Sequence, residues 1–427
     1  MQRRTLIRAA VSGATTLAIG PHALAAKSLE TANAGSPRRL VVVFLRGAVD
    51  GLSVVVPHSD PQYAAHRPDI GLQAPGKDGG ALPLDNRFGL HPALAPLLPL
   101  WDAGRLGFVH ACGSPDPTRS HFDAQDYMES ATPGRKTTAD GWMNRLLGQL
   151  PSRKDSPPSQ APTQAISVGP VLPRIYAGPQ AVANLASGNA ATKPDVLDRP
   201  KVGAAFDRMY ASSDAISSAY QASRQAHREV MQSLSNEEDV TKEMAAANNG
   251  APLPNGFPAD AARLARLMRN DGQVQLAFMA LGGWDTHANQ GNATGQLANR
   301  LQPLGQGLAA LAQGLGPVFE DTVVLVMSEF GRTVRQNGNG GTDHGHGNVL
   351  WALGGPVQGG KVHGHWPGLD TSALYEERDL AVTTDFRSVV AQVATRHMRL
   401  SDRQLTSLLP GFSQASLQGG NLSLITG

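Results

Sequence analysis

One cysteine among 427 residues, Cys112, leaves no internal disulfide to form. Stability must then come from burial of a core. No apolar run beyond the first two dozen residues approaches the roughly 20 residues that span a bilayer, which excludes a stable membrane span there. No internal repeat is visible, and basic residues are nowhere interleaved with aromatics as a nucleic-acid surface requires. Charged residues make up only 17% against 41% hydrophobic. That balance excludes disorder throughout and is ample for a large core, as one domain with insertions or as two smaller ones.

The amino terminus has its own pattern. Arg3 and Arg4 precede Leu6 and Ile7, a short apolar stretch follows, and Ala23-Leu24-Ala25 is a small-x-small cleavage signal. Residues 1–26 therefore read as a twin-arginine export signal, with the twin-arginine translocase as a partner and the periplasm or the exterior as the destination. Removing Arg3, Arg4 and Arg8 takes the formal charge from +2 to −1, so the basic isoelectric point carries no message about nucleic acid. Export in the folded state would permit a metal to be loaded beforehand. Residues 27–38 read as a polar linker.

From residue 39 the chain alternates strand-like and helix-like text. Arg39 to Leu45 (RLVVVFL) is a continuous apolar run of the kind that a strand covered on both faces requires, and Leu106 to Ala111, Gln273 to Leu281, Val323 to Met327 and Val349 to Leu353 also read as buried strands. Leucines at 297, 301, 304, 308, 311 and 315 repeat at helical spacing and predict a long crossover helix. Pro92 with leucines at 94, 97, 98 and 100 predicts a short amphipathic helix, and about 385–397 a closing one. Residues 151–164 read as a surface loop, and about 195–255 as a helical insertion or cap. The expectation is one doubly wound, mostly parallel α/β sheet over 39–427, flanked by helices. Ligand-bearing residues of such sheets project beyond the carboxyl ends of the strands. Asp50, Ser120, Asp285, Glu329 and His344 or His346 can then meet at one edge.

Each candidate has a bland competitor. Asp285 and His287 are spaced i, i+2, which points both to one side of an extended segment and suits a shared cation; the competitor is an Asx-turn with His287 as its partner. His344 and His346 share that spacing on a glycine-rich loop where a core histidine is out of place, and Asp343 is a ligand or the acceptor that fixes a tautomer. His363 and His365 repeat it in what reads as a surface turn. Glu329 is a metal ligand or a partner of Arg332, and Asp50 a ligand or a partner of Arg46. Ser120 is a nucleophile or only a helix N-cap, with Thr118 its rival. Arg46, Arg119 and Arg332 are candidates to grip a tetrahedral oxyanion, against surface ion pairs.

Six blocks in order, LVVVFLRGAVDGL, DPTRSHFDAQDYME, GGWDTHANQG, MSEFGRT, GGTDHGHGN and VTTDFR, resemble a family of twin-arginine-exported bacterial proteins of unknown function within the alkaline phosphatase/sulfatase superfamily. The resemblance implies an alkaline phosphatase-like fold and one or two divalent cations (Zn, Mn, Mg or Ca). By position, Asp50 is similar to the superfamily's first metal ligand, Ser120 to its nucleophile, and Asp285 with His287 to its Asp…His pair. TDHG at 342–345 looks like a sulfatase strand-end motif, yet the strand ends at SEFG. Glu329 and Phe330 thus take the Asp-His positions, and His344 or His346 fills the last-histidine slot. One imidazole is lost unless His121 supplies it. Cys112 begins CGSPDP, which lacks the Cys-x-Pro-x-Arg that cysteine-converting sulfatases need. The implied function is an exported metal-dependent hydrolase or transferase of phosphate or sulfate esters, on small-molecule or glycan substrates. The alternative is a non-catalytic periplasmic binding or assembly protein with a degenerate metal site.

Overall fold

RLVVVFL forms strand β1 (Arg39–Leu45), and every residue of it is buried. The computed structural model describes residues 37–136, 138–151, 164–188, 200–212, 247–413 and 422–426, with a few positions between 214 and 221. Among the described residues β1 lies inside a nine-stranded sheet with β2 (Leu106–Gly113), β3 (Ala165–Val168), β4 (Ala183–Leu185), β5 (Leu276–Leu281), β6 (Thr322–Ser328), β7 (Asn348–Gly354), β8 (Lys361–His363) and β9 (Thr384–Asp385). The order is β8-β2-β7-β6-β1-β5-β3-β4, with β9 also pairing β2. Strand β7 runs antiparallel to its neighbours β2 and β6; the other pairings are parallel. The expected doubly wound, mostly parallel sheet is present.

Helices α1 (His121–Ser130) and α2 (Trp142–Leu147) precede β3, α3 (Phe257–Asn270) precedes β5, and α4 (Gln296–Leu315) crosses from β5 to β6. Helices α5 (Phe386–Gln392) and α6 (Asp402–Leu408) follow β9. Because side chains alternate along a strand, β1 feeds two cores. Val41, Val43 and Leu45 meet α3 and α4 on one face. Leu40, Val42 and Phe44 meet α2, α5 and α6 on the other. Each such aliphatic side chain contributes on the order of 1.5–3 kcal/mol by leaving water, which fixes the strand's register as well as its presence.

Leu297, Leu301, Leu304, Leu308, Leu311 and Leu315 are all buried, as the helical spacing predicts. The helix expected after Pro92 is divided into a 3₁₀ segment, Pro92–Leu97, and an α-turn, Leu98–Asp102, because Pro96 and Pro99 lack the amides that a continuous α-helix needs. The closing helix is α-helical only to Gln392 and widens to a π turn over Val393–His397. Of the expected helical insertion, Pro200–Met209 is a helix; residues 222–246, like the expected export signal and the loop at 152–163, lie outside the described residues. Among the described residues no helix is long and apolar enough to cross a membrane.

The direction of β7 matters for the site. Running against the sheet, it begins at the edge where the parallel strands end, so the loop before Asn348 arrives beside the loops after Leu45, Gly113, Leu281 and Ser328.

Candidate functional site

Five loops meet at that edge, and Arg332, on the one after β6, ties three of the others. Its buried guanidinium donates to the carbonyls of Ala48 (2.7 Å) and Gly47 (2.7 Å) after β1, of Trp284 (3.2 Å) after β5 and of Thr342 (3.0 Å) before β7. It also holds Asp285 Oδ1 at 2.5 Å. The β7 loop pairs with the chain after β6: Gly345 N donates to Gly331 O at 2.8 Å and Thr333 N to Asp343 O at 2.9 Å. Gly345 is needed for this contact, since a Cβ there would lie 2.5 Å from the Arg332 carbonyl carbon. The fifth contribution is the start of α1, capped by Ser120, whose hydroxyl accepts from Asp123 N at 3.5 Å.

Three imidazoles and a carboxylate converge there. His344 Nε2 is 3.0 Å from both His121 Nε2 and His287 Nε2. Asp285 Oδ1 lies 3.0 Å from His287 Nε2 and 3.3 Å from His344 Nε2, and its Oδ2 is 3.6 Å from His121 Nε2. The ligand atoms of His121, Asp285 and His344 all fall within 4.8 Å of one another. Each ring is oriented through its other nitrogen. His121 Nδ1 faces Glu329 Oε1 (2.8 Å), His287 Nδ1 faces Asp343 Oδ1 (3.2 Å), and His344 Nδ1 faces the Arg119 carbonyl (2.9 Å). Carboxylates and carbonyls accept, so each Nδ1 donates outward, and each Nε2 is left facing Asp285 and its neighbouring imidazoles, where it can carry a proton or turn a lone pair to a bound cation. Lone pairs at such separations repel unless a cation or a proton lies between them.

The local electrostatics agree. Burial by itself would lower the His121 pKa, yet hydrogen bonds to Asp285 and Glu329 and their charges push it up to about 9. Burial would likewise raise the Asp285 and Glu329 carboxyls, but Asp285 is held well below the usual range by hydrogen bonds from His121 and His344 and by Arg332. Glu329 is held down by His121 and Gln125. Both acids stay charged, and the pocket between them favours a positive charge.

The sequence candidates divide by placement. Asp285, His287 and His344 point into the cluster, joined by His121. Glu329 and Asp343 stand behind imidazoles and orient them. Glu329 is fully enclosed, also accepting from Gly47 N (2.8 Å) and Gln125 (3.0 Å). Phe330 packs its ring with centroids 5.0 Å from His121 and 5.1 Å from His344 as an apolar wall.

Others go elsewhere. Asp50 is fully buried and held by Arg67 through two bonds (2.6 and 3.0 Å), Ser53 (2.7 Å) and Gln290 (2.7 Å), away from the imidazole cluster. Its partner is Arg67, not Arg46. His346 lies against the Tyr375 ring at 4.7 Å, outside the cluster. His363 bonds the Gln358 carbonyl. Ser120 is exposed and caps α1, two bonds of chain from the Arg119 carbonyl that holds His344.

The three arginines expected to grip an oxyanion are committed within the protein. Arg332 is bound as above; Arg119 pairs with Glu376 (2.7 Å) and Asp379 (2.6 Å); and buried Arg46 pairs with Glu129 (2.6 Å) and Gln125. Arg67, Gln125 and Gln290 had no sequence signal, because a long irregular stretch and a helix face give no periodicity that marks them.

No curated protein matches the chain. Among solved structures it is similar to the PsFucS1 sulfatase from Pseudoalteromonas sp., at 12% identity over 80% of this chain and 67% of that one, with a TM-score of 0.32. It is also similar to the C-terminal periplasmic domain of EcEptC from Escherichia coli in complex with Zn, at 10% identity over 75% and 73%, TM-score 0.35. A third likeness is to TAB5 alkaline phosphatase, a mutant with Mg bound, at 11% identity over 75% and 91%, TM-score 0.33. A family model covers residues 105–409, from the start of β2 to the end of α6, and the chain belongs to that family, described as protein of unknown function (DUF1501).

Proposed function

We propose that this chain is an exported metal-dependent hydrolase or transferase acting on phosphate or sulfate esters. The supporting observation is the convergence of His121, His287 and His344 Nε2 with Asp285, each imidazole oriented from behind. Three imidazoles and one carboxylate suit a single borderline cation such as Zn²⁺, whereas Mg²⁺ and Ca²⁺ favour all-oxygen shells. With Asp50 committed to Arg67, the donor set favours one ion over two. Such an ion would supply Lewis-acid polarisation of an ester oxygen. The chain's own part is to hold the imidazoles in one tautomer, to keep Asp285 charged through Arg332, and to present the exposed Ser120 hydroxyl beside His121 as the nucleophile. Export rests on the Arg3-Arg4 pattern and is checked by cell fractionation of an Arg3→Lys, Arg4→Lys variant, which should remain in the cytoplasm.

Elemental analysis of the metal-replete protein together with turnover of an aryl phosphate and an aryl sulfate tests this reading. Ser120→Ala should keep the metal and lose turnover; His344→Ala should lose both. Absence of any bound divalent cation in the wild-type protein refutes it. A second reading, a non-catalytic binding or assembly protein, is favoured by the internal pairing of Arg46, Arg119 and Arg332. It predicts bound metal with no turnover in either protein.

A further inference from the structure

A cleft of about 260 Å³ borders the cluster on the side of Asp343, with Arg335, Asn337, Glu377 and Arg378 also in its lining. Its walls touch two of the inward-facing histidines. Asp343 accepts from His287, Asn337 donates to the His287 carbonyl at 2.9 Å and to Asp343 at 3.1 Å, and Arg378 donates to the His344 carbonyl at 2.8 Å. The side chain of His287 is 44% exposed, and Asp343, which accepts from it, lines the cleft.

The two arginines there keep unspent donors. Arg335 is exposed and makes no hydrogen bond or ion pair with a described residue. Arg378 spends one amine on the His344 carbonyl, and its other lies 3.8 Å from Asp379, which Arg119 already holds at 2.6 Å. On the acidic side Asp343 gives one oxygen to His287 and Asn337, and Glu377 stands beside it. Two guanidinium groups with open donors thus share the cleft with two carboxylates, one of them already engaged through Oδ1. The wall that carries Glu377 and Arg378 is also strained. Glu376 and Glu377 have φ of 53° and 54°, a left-handed pair that residues other than glycine rarely adopt. Arg119 holds Glu376 in place.

We propose that this cleft binds a second anionic group of the substrate, a carboxylate, phosphate or sulfate on the alcohol portion, through Arg335 and Arg378. A guanidinium fork matches the paired oxygens of such a group. The substrate class is then an ester whose leaving alcohol carries an additional acid. This substrate class rests on the metal-dependent reading of the adjoining cluster.

The experiment is calorimetric titration of the Zn²⁺-loaded full chain with phenylphosphonate and with 4-carboxyphenylphosphonate, neither of which has an ester bond to break. The carboxylate-bearing ligand should bind about tenfold tighter or more, as charge-assisted hydrogen bonds give. Arg335→Ala should bring its affinity down to that of the plain ligand, and Glu377→Gln should widen the difference, which a merely structural role for either residue would not do. Equal binding of the two ligands by the wild-type protein, or a difference that survives Arg335→Ala, overturns the second-anion site while leaving the metal-dependent reading intact. Failure of both ligands to bind the Zn²⁺-loaded chain overturns both.

Discussion

Replacing Asp50 with alanine separates a structural ion pair from a metal ligand. Asp50 and Arg67 are each about 1% exposed or less, and the carboxylate accepts four bonds, two from Arg67 and one each from Ser53 and Gln290. Arg67 has three further anchors in Ser53 Oγ and the carbonyls of Val334 and Thr333, so it cannot swing out to water when its partner is removed. An uncompensated buried guanidinium costs roughly 3–5 kcal/mol, about a fifth or more of the stability expected of a domain. At roughly 2 °C per kcal/mol for a large domain, the melting temperature should fall by about 6–10 °C. Metal content, measured by elemental analysis of protein refolded or purified in Zn²⁺, should equal that of the wild type. A variant that melts as the wild type does but has lost its cation would refute the reasoning and return Asp50 to the metal shell.

Asp343→Asn should weaken metal binding by about tenfold, since the orienting acceptor behind His287 is lost, with little change in melting because Asp343 is half exposed; competition with a chromogenic chelator measures it. Gly47→Ala should destabilise the protein and reduce metal content together, because Gly47 has a φ of 110° and an added Cβ would lie 2.8 Å from the Asp285 amide. A crystal or melting curve indistinguishable from the wild type would count against the loop arrangement. His91, His110 and His397 are each lowered by burial from 6.5 to about 4. The unfolded chain therefore takes up protons near pH 6.5 and the folded chain only near pH 4, so stability falls as pH drops through that window, by about 2 kcal/mol per histidine at pH 5. Urea midpoints at pH 7 and pH 5 check this, and equal midpoints would contradict it.

Much of the sheet is legible in the sequence because burial on both faces leaves a continuous apolar run, as in Arg39–Leu45 and Thr322–Ser328. The leucine repeat likewise marks α4. The Asp285/His287 pair is readable from its spacing after a strand. His121 enters only through the resemblance, as the replacement for a missing imidazole. The Asp50–Arg67 pair is illegible, since Arg67 comes from the stretch between β1 and β2 where no periodicity constrains the reading. The division between His344 and His346 is illegible too: both flank Gly345 in one glycine-rich loop, and the backbone pairing of Gly345 with Gly331 belongs to the tertiary arrangement that leaves one at the cluster and the other against Tyr375.

By itself, then, the sequence determines which residue types stand at the strand ends, because apolar runs and the glycines that stop them are local properties. The tertiary structure decides which of them meet. That outcome depends on β7 running antiparallel, on Arg332 drawing three loops together and on Arg67 claiming Asp50. Each is a contact between residues distant along the chain, set by the packing of the whole sheet and by no pattern within one segment.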